Sequence, residues 1–395
     1  MNIRRVKFKD LEQVAPLKVN QNFKQQFRGS APAPFIGRLG YPNVNVGILS
    51  PQFSGNMSNY DSPKLWAQNN SSAGEIATNR YSLVNSRTLH RIKDLKGSFL
   101  ELVQEVGLAK KSAEIEVLLK KVPQLSIKPE QEIMPFGPSS EVQTARITAN
   151  TAVDSRVEKV VRDVDLKAAP AIINLYRQGF EENVLTKLIS VGNLGLKNSR
   201  KLVPTRWSIT AVDDTVGKQI INEVKDLPLG DYAAYFGGGW GNYYMILFFP
   251  EVWSCELFEA YLASPVNPWS KLGYSYSTDY EDYGGRKTYA EETAGGYYAA
   301  RLAVLEKMKL NRRQNSALVL RFITPEYRFP LGVWVCREAA RKSCQSQPLR
   351  FSTAELMLAH AKFLIKNQFG FALELLLGES QLLKSQKQQT KLTQF

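Results

Sequence analysis

A chain of 395 residues with 44% hydrophobic and 11% aromatic side chains carries enough apolar surface for one or more packed cores, which excludes a disordered polymer. Its 51 Lys and Arg against 37 Asp and Glu leave a net charge of +14, an excess that favours a polyanion such as nucleic acid and says nothing about fold. The three cysteines, Cys255, Cys336 and Cys344, form no C-x-x-C pair, and there are two histidines, His90 and His360; a disulfide framework and a structural zinc site are therefore not expected.

The opening "MNIRRVKFKDLEQ" is charged where a signal peptide would be apolar, and no stretch approaches the roughly 18 apolar residues of a membrane span. Both features point to the cytoplasm and away from membranes. Residues 1 to about 30 read as irregular and basic. In "PFIGRLGYPNVNVGILSP", Val44, Val46 and Ile48 alternate as in a half-buried strand. Residues 54–80, rich in Asn, Ser and Gly, read as a long surface loop, and roughly 92–121 as helical. A soft boundary falls near 125–155, where prolines cluster. Helices follow over 155–195. "RWSITAV" reads as a strand, leading into a helix over "DDTVGKQIINEVKDL" capped by Asp213 or Asp214. "FGGGWGNYY" has the glycines of a tight strand connection and lacks the Lys-Ser/Thr of a P-loop. "NYYMILFFP" is a strand buried on both faces. The predicted order continues with a helix at about 253–262, a Tyr/Gly/Ser loop over 273–285, a helix at about 289–310, strands "ALVLRFIT" and "GVWVCRE", and a helix. The last folded stretch starts at a capping-box spacing, Ser352 and Glu355, and breaks near Gly370. The predicted class is α/β (α+β): a mixed sheet with flanking helices, an irregular N-terminal region and a helical C-terminal part ending in a flexible tail. The expected divisions are 1–150, an α/β core over 151–350, C-terminal helices over 351–383, and a tail over 384–395.

Several constellations could carry chemistry. Asp213 and Asp214, at the predicted junction of strand and helix, suit a metal or phosphate site or, alternatively, a helix N-cap. Glu256 and Glu259, spaced i, i+3 on a predicted helix, share a face; they could bind a divalent ion or face solvent. "GYSYSTDYEDYGGRKTYAEETAGGYYAAR" interleaves seven tyrosines with Asp282, Arg286, Lys287, Arg301 and other charges. It reads as a metal-assisted phosphodiester site or as a self-paired loop. As an enzyme, the chain would use Asp213, Asp214, Glu256, Glu259 and Asp282 to hold Mg2+ or Mn2+, and Arg286, Lys287 and Arg301 to hold phosphate. As a binding module, it would track nucleic acid with Arg38, Arg206, Arg286, Lys287, Tyr289, Arg301, Arg337 and Arg341. The C-terminal "KSQKQQTKLTQF" raises a separate question, because it leaves Leu392 and Phe395 in a lysine- and glutamine-rich stretch with no apolar pattern to pack them.

Long strings make the chain resemble the archaeal Nre family of DNA-repair proteins: "GRLGYPNVNVGILSP", "RWSITAVDDTVGK", "GNYYMILFFPEVWSCELFEAYL", "DYGGRKTYAEETAGGYYAARLAVLE" and "PEYRFPLGVWVCREAAR". The resemblance spans roughly residues 35–345. It implies a role in repairing damaged DNA and a C-terminal motif for the sliding clamp PCNA. Gln389, Leu392 and Phe395 fit the clamp pattern Gln–x–x–aliphatic–x–x–aromatic. A single 3-10 turn would put Leu392 and Phe395 on one side, with Lys384, Lys387 and Lys391 steering towards an acidic clamp surface. A cysteine-rich, zinc-ribbon-like segment with which many members begin is not expected here, since no cysteine precedes Cys255.

Overall fold

The chain is described by a computed structural model covering residues 3–11, 22–124, 132–265, 267, 270–271, 273–328 and 330–388. The Gln389, Leu392 and Phe395 motif lies outside the described residues. Two compact units emerge: an N-terminal unit of residues 15–216 with 330–333, and a C-terminal unit of residues 1–14, 217–329 and 334–395.

The chain begins with strand β1 (Ile3–Arg5), which belongs to the C-terminal unit. The N-terminal unit then contributes β2 (Gln26–Ala31), β3 (Ala33–Ile36), β4 (Asn43–Ser50), helices α1 (Pro63–Gln68) and α2 (Ala73–Tyr81), β5 (Val84–Arg91), α3 (Ser98–Leu108), β6 (Ala113–Leu119) and β7 (Ser139–Ile147). Helices α4 (Ser155–Arg162), α5 (Ala168–Arg177) and α6 (Glu182–Ser190) follow, then the long helix α7 (Thr205–Lys225), whose residues from Gly217 onward belong to the C-terminal unit.

Its six strands run in the order β2-β6-β7-β5-β4-β3, with β5 and β7 parallel and the remaining pairs antiparallel. Only Pro32 separates β2 from β3, so the first and last strands of that order lie end to end and the sheet curls into a barrel. Val44, Val46 and Ile48 alternate inward as predicted, beside Ile115, Val117, Val84 and, from α3, Val103 and Val106. The outer side of β2 donates Ser30 N–H to Phe53 O (3.2 Å), and that of β3 donates Ile36 N–H to Thr205 Oγ1 (3.0 Å).

Two expectations change here. The 54–80 stretch is not one loop: Ser72 and Glu75 form a capping box that starts α2, a signal its Asn- and Ser-rich surroundings hide. The helix expected over 92–121 ends at Leu108, because in "AEIEVLL" the buried positions Ala113, Ile115, Val117 and Leu119 recur every second residue. That period belongs to a strand.

The C-terminal unit adds β8 (Tyr232–Gly239), β9 (Asn242–Phe249), β10 (Ser254–Tyr261), β11 (Tyr274–Glu281), α8 (Gly295–Asn311), β12 (Ser316–Ile323), α9 (Trp334–Gln345), β13 (Leu349–Phe351), α10 (Ala354–Phe369), α11 (Glu374–Leu377) and α12 (Gln381–Gln388). Its seven strands are ordered β1-β11-β10-β12-β9-β8-β13. Helices α8 and α9 cover one face and α10 to α12 the other, giving the predicted mixed sheet with flanking helices. The glycine-rich stretch is the β8–β9 hairpin, with Trp240 and Gly241 at positive φ in its turn. Gly370, at φ +65°, ends α10 as expected, although Thr353 rather than Ser352 caps its start.

Four local assignments are corrected. Residues 206–212 are helical, because Ser208, Val212, Val216, Ile220 and Val224, spaced by four, form one buried stripe along α7. Residues 254–261 form the central strand β10, where contact with helices on both faces overrides helix propensity. The 273–285 loop is largely β11, rich in Tyr, Ser and Thr. "WVCRE" opens helix α9.

Candidate nucleic-acid interface

The acidic candidates do not come together as a group. Asp213 and Asp214 sit inside α7 in the N-terminal unit, not at a strand end. Glu256 and Glu259 lie on β10, where a separation of three puts them on opposite faces of the sheet. Glu256 accepts from Ser380 Oγ (2.5 Å) and from the N–H groups of Gln381 (2.9 Å) and Leu382 (3.0 Å), at the start of α12. Burial raises its carboxyl above the usual range, while these three donors pull the other way. Glu259 faces α8 instead and pairs with Arg321 at 2.5 Å. Asp282 lies in a turn and accepts from Gly284 N–H (2.8 Å). Among the described residues, no group of three or more His, Cys, Asp or Glu is arranged to hold a metal ion.

The α8-facing side of the C-terminal sheet is unusually polar. Arg321 bonds Glu259 and also donates from Nε (3.0 Å) and Nη2 (2.5 Å) to Asn242 Oδ1, while Tyr261 OH donates to Glu259 Oε2 (3.0 Å). Gly296 makes room for this pair: a Cβ there would stand 2.6 Å from Glu259 Oε1. On the neighbouring strand, Glu281 holds Arg301 at 2.9 Å and Asp279 holds Arg286 at 3.0 Å. Arg286 also donates to the carbonyls of Tyr280 (2.9 Å), Tyr289 (3.0 Å) and Thr288 (3.3 Å). Its guanidinium braces the 282–290 segment from within. Tyr289 stacks on Tyr298, and Lys287 is exposed. Arg341 is bidentate to Glu306 and bonds Glu338, and Arg337 is buried beside Glu338. The tyrosine- and arginine-rich stretch thus has the geometry of the self-paired loop, with its guanidinium groups already matched by carboxylates.

The three thiols sit in this unit as well. Cys255, Cys336 and Cys344 are buried and free, and burial pushes each thiol up, that of Cys344 to about 12. A thiolate is the reactive form. A thiol reagent at pH 8 is therefore expected to label none of the three in the native chain within minutes, and all three once denaturant is added. Rapid labelling of one cysteine without denaturant would show that the unit opens locally.

A different surface emerges in the N-terminal unit, where two of the strings singled out by sequence meet. The tip of the β3–β4 hairpin carries Leu39 and Tyr41, 71% and 45% exposed, and the first turn of α7 carries Trp207, 45% exposed. The Tyr41 and Trp207 rings touch, with centroids 5.1 Å apart and planes at 56°. Backbone bonds fix the neighbourhood: Ile92 N–H to Pro42 O (3.0 Å) and Leu202 N–H to Ile92 O (2.9 Å). On β5, Arg87, Leu89 and Arg91 share the outer face and lie opposite Gly47, Asn45 and Asn43 of β4. Arg91, Lys93 and Lys201 are exposed and Arg87 half-exposed, and none of the four has an acidic partner among the described residues. The acids beside them are Asp94, its Oδ1 accepting from Lys96 N–H (3.3 Å), and Glu141, opposite Arg87 on β7 and paired with Lys120 at 2.5 Å. Arg38 is half-buried in the same hairpin tip, and Arg206, next to Trp207, pairs with Glu132. Tyr41, Trp207, Arg87 and Arg91 were not among the sequence candidates except through their neighbours Arg38 and Arg206. The available signal was an exposed aromatic at a Gly-Tyr-Pro turn.

The family described as "Archaeal Nre, N-terminal" matches residues 7–270, and "Archaeal Nre, C-terminal" matches 281–395. The chain is 34% identical over 329 residues to DNA repair protein NreA of Haloferax volcanii, covering 81% of this chain and 78% of that protein. It is 37% identical to DNA repair protein NreB of Archaeoglobus fulgidus over 328 residues, 82% of each chain. It is also 36% identical to DNA repair protein NreA of that organism over 344 residues, 86% of this chain and 85% of the relative. No solved structure matches.

Proposed function

Because the chain belongs to the archaeal Nre family, we propose that it is a DNA-repair factor that binds DNA through its basic body and is recruited to the sliding clamp PCNA by its C-terminal segment. The repair role is supported by relatives named as DNA repair proteins over four-fifths or more of this chain. DNA binding is carried by one observation: the N-terminal unit that exposes the Tyr41 and Trp207 rings also carries cations without an ion-pair partner among the described residues, Arg87, Arg91, Lys93 and Lys201. Such groups release counterions when they meet phosphate, which makes binding steeply salt-dependent. No helix among the described residues is long and apolar enough to cross a membrane.

Recruitment rests on the spacing of Gln389, Leu392 and Phe395. The preceding helix α12 supports it, because its first turn is pinned to the sheet by Glu256 and gives the motif a fixed point of departure. A weak clamp contact would then raise the effective concentration of DNA at the body. The test is calorimetry of the full chain against a purified archaeal PCNA ring, beside the Leu392→Ala/Phe395→Ala variant. Loss of two buried anchors is expected to weaken clamp binding at least about tenfold and to leave DNA affinity unchanged. Clamp binding that survives the double substitution means that recruitment runs through another surface.

A further inference from the structure

We propose that the Tyr41–Trp207 corner of the N-terminal barrel is a stacking platform for an unpaired DNA strand. This rests on the DNA-binding reading above and adds to it the form of DNA that the site takes. Net positive charge alone would serve duplex and single strand equally, because both present phosphates. The rings make the difference. Bases inside a duplex are stacked on one another and offer side chains only their edges, whereas an unpaired base has a free face that an aromatic ring can cover.

The geometry suits that use. Tyr41 and Trp207 are each nearly half exposed yet held: Tyr41 by the hairpin tip, where Asn43 N–H bonds Gly40 O (2.9 Å), and Trp207 by the first turn of α7, where its N–H bonds Pro204 O (2.9 Å). With planes at 56°, the two rings do not cover each other's faces, so each leaves a surface for a base. From β3 the floor runs across β4, where Asn43, Asn45 and Gly47 keep it low, to Arg87, Leu89 and Arg91 on β5. Strands are spaced about 4.8 Å apart, so β5 with its cations runs roughly 10 Å from β3, across β4. Phosphates of a strand whose bases turn to the rings would run along these arginines. Leu39 and Leu89, 71% and 65% exposed, add apolar surface beside the path. Charge favours phosphate over a protein partner: the four cations outnumber two neighbouring acids, Asp94 and Glu141, the latter opposite Arg87 in register and paired with Lys120 at 2.5 Å, and a strand of phosphates supplies the remaining counter-charge.

The test uses the full chain and fluorescence anisotropy with a labelled DNA strand of about 16 nucleotides, near the upper site size of a single barrel, with the matching duplex and the RNA of the same sequence. The unpaired DNA is expected to bind at least about tenfold more tightly than the duplex. Tyr41→Ala/Trp207→Ala should lose roughly tenfold or more towards the single strand while duplex binding changes less than about twofold. Tyr41→Phe/Trp207→Phe, which keeps both ring faces, should restore most of the affinity, so a loss caused by misfolding is recognised by failure of this rescue alongside a lowered melting temperature. Arg91→Ala/Lys93→Ala should flatten the salt dependence by about 1.4 in the log–log slope, from about 0.7 per phosphate contact on a single strand. Equal affinity for duplex and single strand, or an alanine ring variant that binds the strand as the wild type does, overturns the platform and leaves DNA binding standing. An RNA strand bound more tightly than its DNA counterpart overturns the assignment to DNA. Absence of any salt-sensitive DNA binding removes both the platform and the reading beneath it.

Discussion

Replacing Arg321 by alanine is expected to cost the C-terminal unit about 3–5 kcal/mol, the range for breaking a buried ion pair from one side. Glu259 is fully buried, and its Oε1 is held by Arg321 at 2.5 Å. Without the guanidinium, a carboxylate stays in a low-dielectric layer between β10 and α8, with Tyr261 OH as its remaining side-chain donor among the described residues. Asn242 Oδ1 loses both of its bonds to Arg321 as well. In contrast, Arg321→Met/Glu259→Leu removes both charges and should recover most of the loss, because a well-packed apolar pair can match a buried salt bridge. Denaturant unfolding followed by labelling of Cys255, Cys336 and Cys344 reads this unit alone, since all three thiols lie within it. A single variant that unfolds within about 1 kcal/mol of the wild type would mean that the pair is solvated.

The second large effect is expected at Glu256. Its carboxylate accepts the Ser380 hydroxyl and the first free N–H groups of α12, as an N-cap side chain does, but from a strand far away in sequence. Glu256→Ala strands these donors, at about 2–3 kcal/mol for a lost cap combined with unsatisfied buried groups. The expected reading is local: amide exchange over residues 381–388 accelerates roughly 30- to 100-fold, about 1.4 kcal/mol per factor of ten, while barrel amides are unchanged. The pH dependence has a definite sign. With its folded-state pKa raised, Glu256 binds a proton more tightly in the folded chain than in the unfolded one. The proton-linked part of its contribution is complete below the ordinary glutamate value of about 4.3 and is lost as pH rises through the raised value. Glu256→Gln should flatten that slope. Exchange over 381–388 that ignores both substitutions would show that α12 is held by its apolar contacts alone.

Sequence made the apolar elements plain because burial acts locally. In β9 and β12 nearly every side chain is inside, and in β4 the alternation of Val44, Val46 and Ile48 reports one inner face. It failed where tertiary contacts decide. "CELFEAY" has the composition of a helix, yet it is a central strand because β11 and β12 flank it and both of its glutamates find distant partners. "ITAV" has the branched residues of a strand, yet α7 wins through a stripe that spans five turns. The site followed the same rule. Arg286, Arg301 and Tyr289 were visible as residue types, but their pairing with Asp279, Glu281 and Tyr298 is a fact of folding. Tyr41 and Trp207 lay in strings already conspicuous for other reasons. What no spacing could show is that a hairpin tip and a helix start, far apart along the chain, bring the two rings together.

The way the two sheets end has a consequence for the chain's solubility. One is curled so that its terminal strands follow one another through a single proline, with their outer sides bonded by Phe53 and Thr205. The other terminates in β1 and β13, each three residues long. Among the described residues, the barrel margin carries side bonds and the other sheet ends in very short strands, which leaves only short rows of open amides on which a second copy could template itself and disfavours fibrous self-association. Combined with mutual repulsion at a net charge of +14, this should keep the protein dispersed at concentrations where a basic chain with exposed tryptophan and leucine would otherwise clump.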